Sequence, residues 1–289
     1  MFDSTIIGAG PAGISAAVYI RRAGFYPLVV HDNTSALLKA DRIENYYGTQ
    51  SASGEELLTL GIEKAVGFGV KVIESQAVGA KLEQDGCFTV KTTTGEFKSK
   101  TLIIATGAAK KTAEIPNLKA FEGKGVSYCA VCDAFFYRDK TVCVLGSGEY
   151  ALSELKELKS FAKKLFLLTN GGKPEAVFSD GIEVITEEIS ALIGENKFEG
   201  VKFKTGKTIT ADGLFIALGT AGATEFAKEL GIILEEDGKI AVDADMKTSL
   251  KGVFAAGDCV GGVLQVAVAV GEGAKAGLTA IEYLRAITK

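Results

Sequence analysis

Two glycine-rich turns that repeat one another constrain the fold of this chain more than any other feature. The first, Gly8–Gly13, follows the apolar stretch STII and precedes the helical pattern ISAAVYIRRAG. The second, Gly146–Ala151, follows VCVL and precedes LSELKELKSFAKK. A further apolar strand comes after each helix, PLVVHD in one case and LFLLTN in the other, so each turn belongs to a βαβ unit. The sequence therefore predicts two nucleotide-type folds in one chain.

The order of the remaining patterns places the second fold inside the first. Strand and hairpin patterns separate the two units (VKVIES, CFTVKTTTGEFKS, TLIIATGA), and another set follows the second unit (GVKFKTGKTITADGLFIALG, KIAVDADMKTSL, GVFAAGD). The last apolar helix follows Asp258 rather than the second repeat. We predict an α/β protein of two Rossmann-like three-layer ββα domains, the second inserted into the first. Residues 1–110 and 219–289 form one domain, and residues 111–218 form the other.

Composition narrows the classes of partner. The chain has 289 residues, 47% of them apolar, and a net charge of −4, which argues against nucleic acid or an anionic membrane as the main partner. The first strand begins almost at the initiator, and no apolar run approaches the roughly 20 residues of a membrane span. We expect a cytoplasmic protein that acts on small molecules or other proteins. In that compartment the five cysteines are not expected to form a structural disulfide framework.

The first turn has the full G-x-G-x-x-G pattern in the strand-to-helix context that the motif needs. Gly8 permits the turn, Gly10 permits close approach of a pyrophosphate, and Gly13 permits packing of the helix on the strand. Asp32 stands at the end of the next strand, where a carboxylate holds the ribose hydroxyls of an adenine nucleotide. A bound dinucleotide is predicted, the alternative being a bare structural turn.

The second turn keeps the structural parts of the motif and loses the parts that bind a ligand. Its glycines and Ala151 preserve the turn, but Glu149 places a fixed negative charge at the positive end of the helix dipole, where it repels a phosphate. Tyr150 adds bulk beside it. Asn170 stands where Asp32 stands in the first repeat, and it is neither the acid that suits NAD nor the arginine that suits NADP. We predict a scaffold that binds nicotinamide nucleotides poorly.

The pair Cys129-Ala130-Val131-Cys132, followed by Asp133, is typical of a redox dithiol in a cytosolic α/β protein. A zinc site is the first alternative, but four ligands are needed, and the chain has one histidine, His31, with its other cysteines at unrelated spacings. Two unpaired structural thiols are the second alternative. No metal site is predicted. A single histidine beside the adenosine position also argues against a Ser-His-Asp or Cys-His hydrolase.

Five motifs, in order and spacing, resemble those of the low-molecular-weight flavoprotein thioredoxin reductases over nearly the whole chain. They are GAGPAG, ENYYG, ATGA at 105–108, CAVCDAFFYR at 129–138 and GVFAAGD at 252–258. The resemblance implies FAD in the domain made of the two chain ends, with the flavin ring near Asn45, Gln265 and Val266. The residues assigned to the cofactor are Gly8, Gly10, Pro11, Ala12, Gly13, Asp32, Asn45, Thr106, Gly107, Gly257, Asp258, Gln265 and Val266.

The same resemblance implies the catalytic roles. Cys129 and Cys132 form the redox disulfide, in which Cys132 lies nearer the flavin and Cys129 attacks the disulfide of thioredoxin. Asp133 is the proton donor or acceptor. The inserted domain is expected to swing on hinges near residues 110 and 219, and the family implies a homodimer.

The chain departs from the NADPH-dependent members at both ends of the nucleotide site. They have a G-G-G-x-S/T-A turn and a basic His-Arg-Arg run, whereas this chain has GSGEYA and Thr169-Asn170-Gly171. A Gly-Gly-Gln run after the second strand is also absent, and Leu264 replaces an arginine. This pattern resembles the ferredoxin-dependent flavin thioredoxin reductases of anaerobic bacteria, in which electrons come from ferredoxin.

Three other functions stay open at this point. They are an NAD(P)H-dependent disulfide reductase with an atypical nucleotide site, a flavin-dependent dithiol oxidase, and a non-catalytic FAD-binding redox sensor. Lys156, Lys159 and Lys163 form a basic stripe on the helix of the second repeat, with Leu152, Leu155 and Leu158 toward the core. The stripe is interpreted as a solvated helix face, the alternative being a surface that steers an acidic ferredoxin.

Overall fold

The computed structural model describes residues 1–107, 115–128, 130–178, 181–218 and 222–288, and for Val131 and Cys132 the backbone alone. The chain divides into two compact units, residues 1–109 with 222–289, and residues 110–221. Each unit contains a parallel sheet with helices, and the second is inserted into the first, which confirms the predicted fold class. The hinge positions near 110 and 219 lie outside the described residues.

The first unit is built around a parallel sheet whose strands run in the order β3-β2-β1-β6-β15. A meander of β4, β5 and β6 extends β6 as an antiparallel ribbon. The elements are β1 Phe2–Ile7, α1 Pro11–Arg22, β2 Pro27–His31, α2 Gly54–Gly67, β3 Lys71–Glu74, β4 Ala77–Leu82, β5 Phe88–Thr92, β6 Gly95–Ile104, α5 Ala223–Leu230, β15 Val253–Ala255 and α6 Val266–Ile287, with 3-10 turns at Ala36–Lys39 and Asp258–Val260.

Helices α1 and α6 approach one another closely in the core of this unit. A Cβ added to Gly273 would lie 2.1 Å from the carbonyl oxygen of Ala12, and one added to Gly277 would lie 2.9 Å from that of Ala16. The two glycines are four residues apart and therefore share one face of α6. Glycine is required there because the backbone of α1 occupies the space of a side chain.

The second unit has a five-stranded parallel sheet in the order β10-β9-β8-β14-β7 and a separate antiparallel sheet of β11, β12 and β13. Its buried apolar side chains include Cys143, Leu145, Phe166, Leu168 and Leu214. The elements are β7 Val126–Ser127, α3 Ala130–Asp133, β8 Thr141–Leu145, α4 Glu149–Lys159, β9 Lys164–Leu168, β10 Ile182–Ile185, β11 Ile189–Ile193, β12 Gly200–Phe203, β13 Thr208–Thr210 and β14 Gly213–Ile216, with 3-10 turns at Lys119–Phe121 and Ala134–Tyr137.

One predicted strand pattern is wrong. The stretch KIAVDADMKTSL, residues 239–250, forms isolated β-bridges, Ile240 with Leu234 and Lys247 with Phe254, instead of a continuous strand. The Asp243 carboxylate accepts hydrogen bonds from the backbone N–H groups of Asp245 and Lys247, at 2.8 and 2.9 Å. Met246 then adopts a φ of 63°, which a strand does not allow. Local side-chain bonding to the backbone therefore replaces the ladder that the apolar alternation predicts.

None of the helices in the described part of the chain combines the length and the apolar character that crossing a membrane requires.

Candidate functional site

Of the three glycines in the first turn, Gly8 and Gly13 are packed against backbone atoms, whereas Gly10 faces open space. A Cβ on Gly8, whose φ is 112°, would lie 2.2 Å from the Ala105 carbonyl oxygen, and one on Gly13 would lie 1.9 Å from the Gly8 carbonyl oxygen. At Gly10 the nearest atom to such a Cβ is the Ser35 hydroxyl, 3.9 Å away. Gly10 is the N-cap of α1, and no side chain of the described residues caps it. The turn thus presents free backbone N–H groups to a phosphate.

The predicted flavin residues of the first unit fit a bound cofactor. Nδ2 of Asn45 donates to Oε1 of Gln265 at 2.8 Å, although the two residues are 220 positions apart in sequence. The hydroxyl oxygen of Thr106 is buried and has no hydrogen-bond partner among the described residues. A buried hydroxyl without a partner is costly, and a ligand in this turn would satisfy it. The Asn45–Gln265 pair, the buried Thr106 hydroxyl and the open space at Gly10 all suit a flavin dinucleotide.

Glu272 is a residue of this site that the sequence did not reveal. It lies on α6, and its Oε2 accepts a hydrogen bond from the N–H of Gly257 at 2.8 Å, which ties α6 to the Gly257-Asp258 turn. Burial raises the pKa of the Glu272 carboxyl, and the neighbouring Asp258 raises it further, against the opposing effect of the Gly257 N–H. The signal in the sequence was a single acid within an apolar helix, VAVAVGEGAKAG.

Asp32 and His31 lie at the end of β2, as predicted. Oδ1 of Asp32 accepts from the N–H and the hydroxyl of Thr34, at 3.2 and 2.5 Å. Burial lowers the pKa of His31, against opposing effects of Glu74 and Asp32, so His31 is neutral at pH 7. A neutral histidine in this position is consistent with a strand-end residue that has no chemical role.

The second turn reproduces the backbone packing of the first. The N–H of Gly146 donates to the Leu168 carbonyl at 3.0 Å, as the N–H of Gly8 donates to Val30 at 2.8 Å. A Cβ on Gly146 would lie 2.1 Å from the Ala217 carbonyl oxygen and 2.7 Å from the Cβ of Ala151. These contacts explain why the glycine and the alanine persist: the fold itself needs them, with or without a ligand.

A segment of the chain, which we call the strap (residues 173–176), lies on this second turn. The N–H groups of Glu175 and Ala176 both donate to the Ser147 carbonyl, at 2.7 and 3.1 Å. Oε2 of Glu175 lies 3.5 Å from the position that a Cβ on Gly148 would take. The strap therefore brings the Glu175 carboxylate to the part of the turn, next to the exposed Glu149 in sequence, where a nucleotide motif receives its pyrophosphate.

The side chain of Asn170 makes a hydrogen bond within the protein. Its Oδ1 accepts a hydrogen bond from the N–H of Ile189 at 2.7 Å, and its backbone has a φ of 49°. The side chain that corresponds to Asp32 of the first repeat thus holds β11 in place. It is engaged by the protein rather than offered to a ribose.

The structure describes several polar groups that flank the cysteine pair, among them Ser127, Asp133 and Tyr137. Cys129 and the side chain of Cys132 lie outside the described residues, while the backbone of Cys132 belongs to α3. Oδ2 of Asp133 accepts from the hydroxyl of Ser127 at 2.6 Å. Burial raises the pKa of Tyr137, and the charges of Asp133 and Asp212 add to the effect. The Asp133 carboxylate is thus held at one end of α3, beside the position of Cys132.

The sequence position of Tyr150 suggested that it stands beside a ligand site, but the structure places its side chain in the core. It is fully buried, and its hydroxyl donates to the carbonyl of Tyr128 at 3.1 Å. Leu155 and Leu158 are buried as predicted, whereas Leu152 is half-buried and Glu154 takes a core position with 2% exposure. The face of α4 that carries Tyr150 and Glu154 is therefore directed at the cysteine motif.

Two aromatic side chains next to the motif are strongly exposed. Phe135 is 66% and Phe136 is 67% exposed, and their rings contact one another edge to face at 6.1 Å between centroids. The guanidinium of Arg138 lies 5.7 Å from the centre of the Phe135 ring. Exposed aromatic groups with a nearby arginine are typical of protein-docking surfaces.

The three other cysteines are free thiols with no redox partner in the described part of the chain. Burial raises the pKa of Cys143 to about 12, and burial is also the main cause that raises the pKa of Cys259 to about 12. Cys87 is half-buried, and its pKa is raised by burial and by Asp85. Among the described residues, no three histidine, cysteine or acidic side chains are grouped to hold a metal ion.

These pKa directions predict the alkylation pattern of the native protein. At pH 8 a thiol with a pKa of about 12 is ionised in only about one molecule in ten thousand. Iodoacetamide should therefore leave Cys143 and Cys259 unmodified in the native state and modify both in guanidinium chloride. Peptide mass spectrometry of the two samples measures this. Rapid modification of either residue in the native protein would contradict the burial described above.

Comparison with known proteins places these features among disulfide reductases. A family model described as pyridine nucleotide-disulphide oxidoreductase matches residues 2–273. The thioredoxin reductase of Aquifex aeolicus (strain VF5) is 35% identical over 304 residues, covering 98% of this chain and 94% of the relative. That of Ureaplasma parvum serovar 3 is 34% identical, covering 98% of this chain and 97% of the relative.

Two solved structures are similar over nearly their whole length. The atypical thioredoxin reductase of Desulfovibrio vulgaris Hildenborough has a TM-score of 0.92 and 39% identity, covering 99% of each chain. A ferredoxin-flavin thioredoxin reductase from Clostridium acetobutylicum has a TM-score of 0.78 and 30% identity, covering 100% of this chain and 99% of that one.

Proposed function

We propose that this chain, which belongs to the thioredoxin reductases of the pyridine nucleotide-disulphide oxidoreductase family, carries electrons from reduced ferredoxin to thioredoxin. Family membership makes it a flavin-dependent disulfide oxidoreductase with thioredoxin as its substrate. The identity of the electron donor, the assignment of the flavin as FAD and the roles of individual residues are the proposal.

The observation that carries the choice of donor is the strap on the second turn. Its backbone bonds to Ser147, and the Glu175 carboxylate lies 3.5 Å from the position that a Cβ on Gly148 would take, while the exposed Glu149 is the first residue of α4. Repulsion between two unit charges about 4 Å apart is about 1 kcal/mol in bulk water and about 4 kcal/mol at an effective dielectric constant of 20. Either value, added to the need to displace the strap, disfavours a nicotinamide nucleotide at this turn.

FAD would be held by the first unit. The turn at Gly10 and the N-terminus of α1 would receive its pyrophosphate, Asp32 its ribose, and Thr106 with Gly257 and Asp258 the part between pyrophosphate and ring. Asn45 and Gln265 would meet the flavin ring. The bound flavin supplies the ability to take electrons singly and to release them as a pair, which a one-electron donor and a disulfide together require.

Thiol chemistry at the cysteine pair completes the proposed reaction. Two electrons and two protons convert the Cys129-Cys132 disulfide into a dithiol. The thiolate of Cys129 then attacks the thioredoxin disulfide, and one thioredoxin sulfur leaves as a thiol while a mixed disulfide forms. Cys132 next attacks Cys129, which releases reduced thioredoxin and restores the disulfide. Asp133, held by Ser127, would give and take the proton.

The residues beside the dithiol offer a docking surface for thioredoxin, and the basic stripe is the alternative considered as a surface for ferredoxin. Phe135, Phe136 and Arg138 offer an apolar contact beside the dithiol for thioredoxin. Lys156 and Lys159 of the basic stripe lie on α4 and are exposed, whereas Lys163 was wrongly predicted on this helix because α4 ends at Lys159. Lys164, beside the stripe, pairs with Glu183 at 3.0 Å, which favours the solvated-face interpretation there. As in the resembling family, we propose a homodimer and a swing of the inserted domain that lets the dithiol meet flavin and thioredoxin in turn.

The test is a side-by-side anaerobic reduction of the purified flavoprotein. Reduced ferredoxin should bleach the yellow flavin within seconds and support thioredoxin reduction. NADPH and NADH should leave the absorbance unchanged over the same interval, because the strap and its Glu175 carboxylate lie on the second turn. Bleaching by either nucleotide at a comparable rate would contradict the proposal and favour an NAD(P)H-dependent reductase. Rapid oxygen consumption with a dithiol substrate would instead indicate a dithiol oxidase.

A further inference from the structure

Helix α4 holds the peptide backbone on both sides of Cys129. The hydroxyl of Tyr150 donates to the carbonyl of Tyr128, the residue before Cys129, at 3.1 Å. Oε2 of Glu154 accepts from the N–H of Ala130, the residue after Cys129, at 2.7 Å. Two side chains of one helix therefore contact the two residues that flank the proposed nucleophile.

The spacing of these two side chains explains how one helix makes both contacts. Residues 150 and 154 are four apart, so they lie on the same face of α4, one turn above the other. Both side chains are buried, Tyr150 with 0% and Glu154 with 2% exposure, and Ala130 is fully buried as well. A buried carboxylate is retained in proteins where it is hydrogen-bonded, and here the bond goes to the first residue of α3.

We propose that Glu154 and Tyr150 are positioning residues for the redox dithiol, and that the helix of the degenerate nucleotide repeat now serves the cysteine motif. In a nucleotide-binding repeat the helix after the glycine-rich turn receives a phosphate at its N-terminus. Here the strap lies on that turn, and another face of the same helix holds the backbone of the two residues that flank Cys129. The inference rests on the proposed role of Cys129 and Cys132 as the redox pair.

The two residues act differently on the motif. Tyr150 fixes the direction of the Tyr128 carbonyl without adding charge. Glu154 fixes the Ala130 N–H, and in its carboxylate form it would also place a negative charge beside the residue bonded to Cys129, which would disfavour the thiolate there. Among the described residues, other titratable groups near the motif include Asp133 on α3, Tyr137 after it, and Glu122, whose carboxylate accepts from the Tyr128 hydroxyl. A change at residue 154 therefore alters one charge and leaves these three in place.

The charge is tested with Glu154→Gln in the dithiothreitol-reduced, flavin-loaded protein. Glutamine keeps an oxygen that accepts from Ala130 and loses the charge, so the thiolate fraction should rise and alkylation of the 129–132 peptide at pH 7 should accelerate about tenfold. The pH at which alkylation reaches half its maximal rate should fall accordingly. Glu149→Gln, which removes an exposed carboxylate from the first turn of the same helix, should change neither quantity.

The hydrogen bond is tested with Tyr150→Phe, which keeps the buried ring. The rate of disulfide exchange with thioredoxin should fall about tenfold, because a small displacement of a reacting group is costly. The fall should appear in kcat and not in KM for thioredoxin, since the docking surface is unchanged. Ser153→Ala, on a neighbouring position of α4, is the matched control and should behave as the wild type. Flavin content and melting temperature report whether each variant is folded.

The outcomes separate this inference from the proposed function. If Glu154→Gln and Tyr150→Phe are folded and stay within about twofold of the wild type in alkylation, pH profile and kcat, the positioning role is wrong. If Cys132→Ser retains thioredoxin reduction, the redox pair itself is misassigned, and the positioning role is wrong with it. Loss of turnover in Cys132→Ser together with the shifts described for Glu154→Gln and Tyr150→Phe supports both.

Discussion

Cys132→Ser is expected to lower the rate of thioredoxin reduction by about a thousandfold or more. A serine oxygen forms no disulfide, so the variant has no means of releasing thioredoxin from the mixed disulfide or of receiving an electron pair as a dithiol. The effect should fall on thiol exchange alone. Because the predicted flavin residues lie in the first unit and Cys132 in the second, flavin content should equal that of the wild type, and reduced ferredoxin should still bleach the flavin.

Thiol release from thioredoxin, titrated with a chromogenic disulfide, measures this loss. Cys87→Ser is the matched control, because Cys87 is half-buried and lies in the first unit, and its activity should be that of the wild type. A Cys132→Ser protein that keeps more than about a tenth of the wild-type rate would show that the electrons reach thioredoxin by another route.

Gly273→Ala is expected to destabilise the protein by about 3 kcal/mol, at the upper end of the usual cost of overpacking. The added methyl group would lie 2.1 Å from the carbonyl oxygen of Ala12, so α6 and α1 would have to separate. α1 begins at the flavin turn and α6 carries Glu272 and Val266, so the variant should also lose flavin. Unfolding in urea and the flavin absorbance of the purified protein measure the two effects.

Gly271→Ala provides the contrast on the same helix, two residues away. Gly271 is exposed, and a Cβ there would meet no atom within 4 Å among the described residues. Alanine has the higher helix propensity, so this variant should be as stable as the wild type or more stable by up to about 1 kcal/mol. Equal stability of the two variants would mean that α1 and α6 are not packed as closely as described.

The parts of the site that the sequence predicted well are those where backbone meets backbone. The glycines of the first turn, the alanine of the second and the division into two repeated folds follow from steric limits that any such turn obeys, so a short motif suffices to predict them. Asp32 and Asn170 were placed by counting from those turns. The structure adds that Asn170 is bound to Ile189, which a count does not indicate.

The parts that the sequence did not predict depend on where distant segments meet. The strap is a short polar loop, and nothing in its residues indicates that its N–H groups bond to Ser147. Glu154 and Glu272 occur in helices where an acid usually faces water. The burial of Glu154 depends on α4 meeting the cysteine motif, and the half-buried position of Glu272 depends on α6 meeting the Gly257 turn. The stretch 239–250, wrongly predicted as a strand, shows the same limit, because the turn at Asp243 interrupts the pairing and leaves isolated bridges.

The strap makes the second turn a site with its own tethered competitor. A segment tethered to the turn within the same chain competes at an effective concentration of about millimolar or more, without ever diffusing away. A free nucleotide would have to outcompete it, and its apparent affinity would be reduced by the fraction of molecules in which the strap is in place. Electron supply to thioredoxin would then be insulated from swings in the nicotinamide pool, and would follow the reduction state of the one-electron carriers instead.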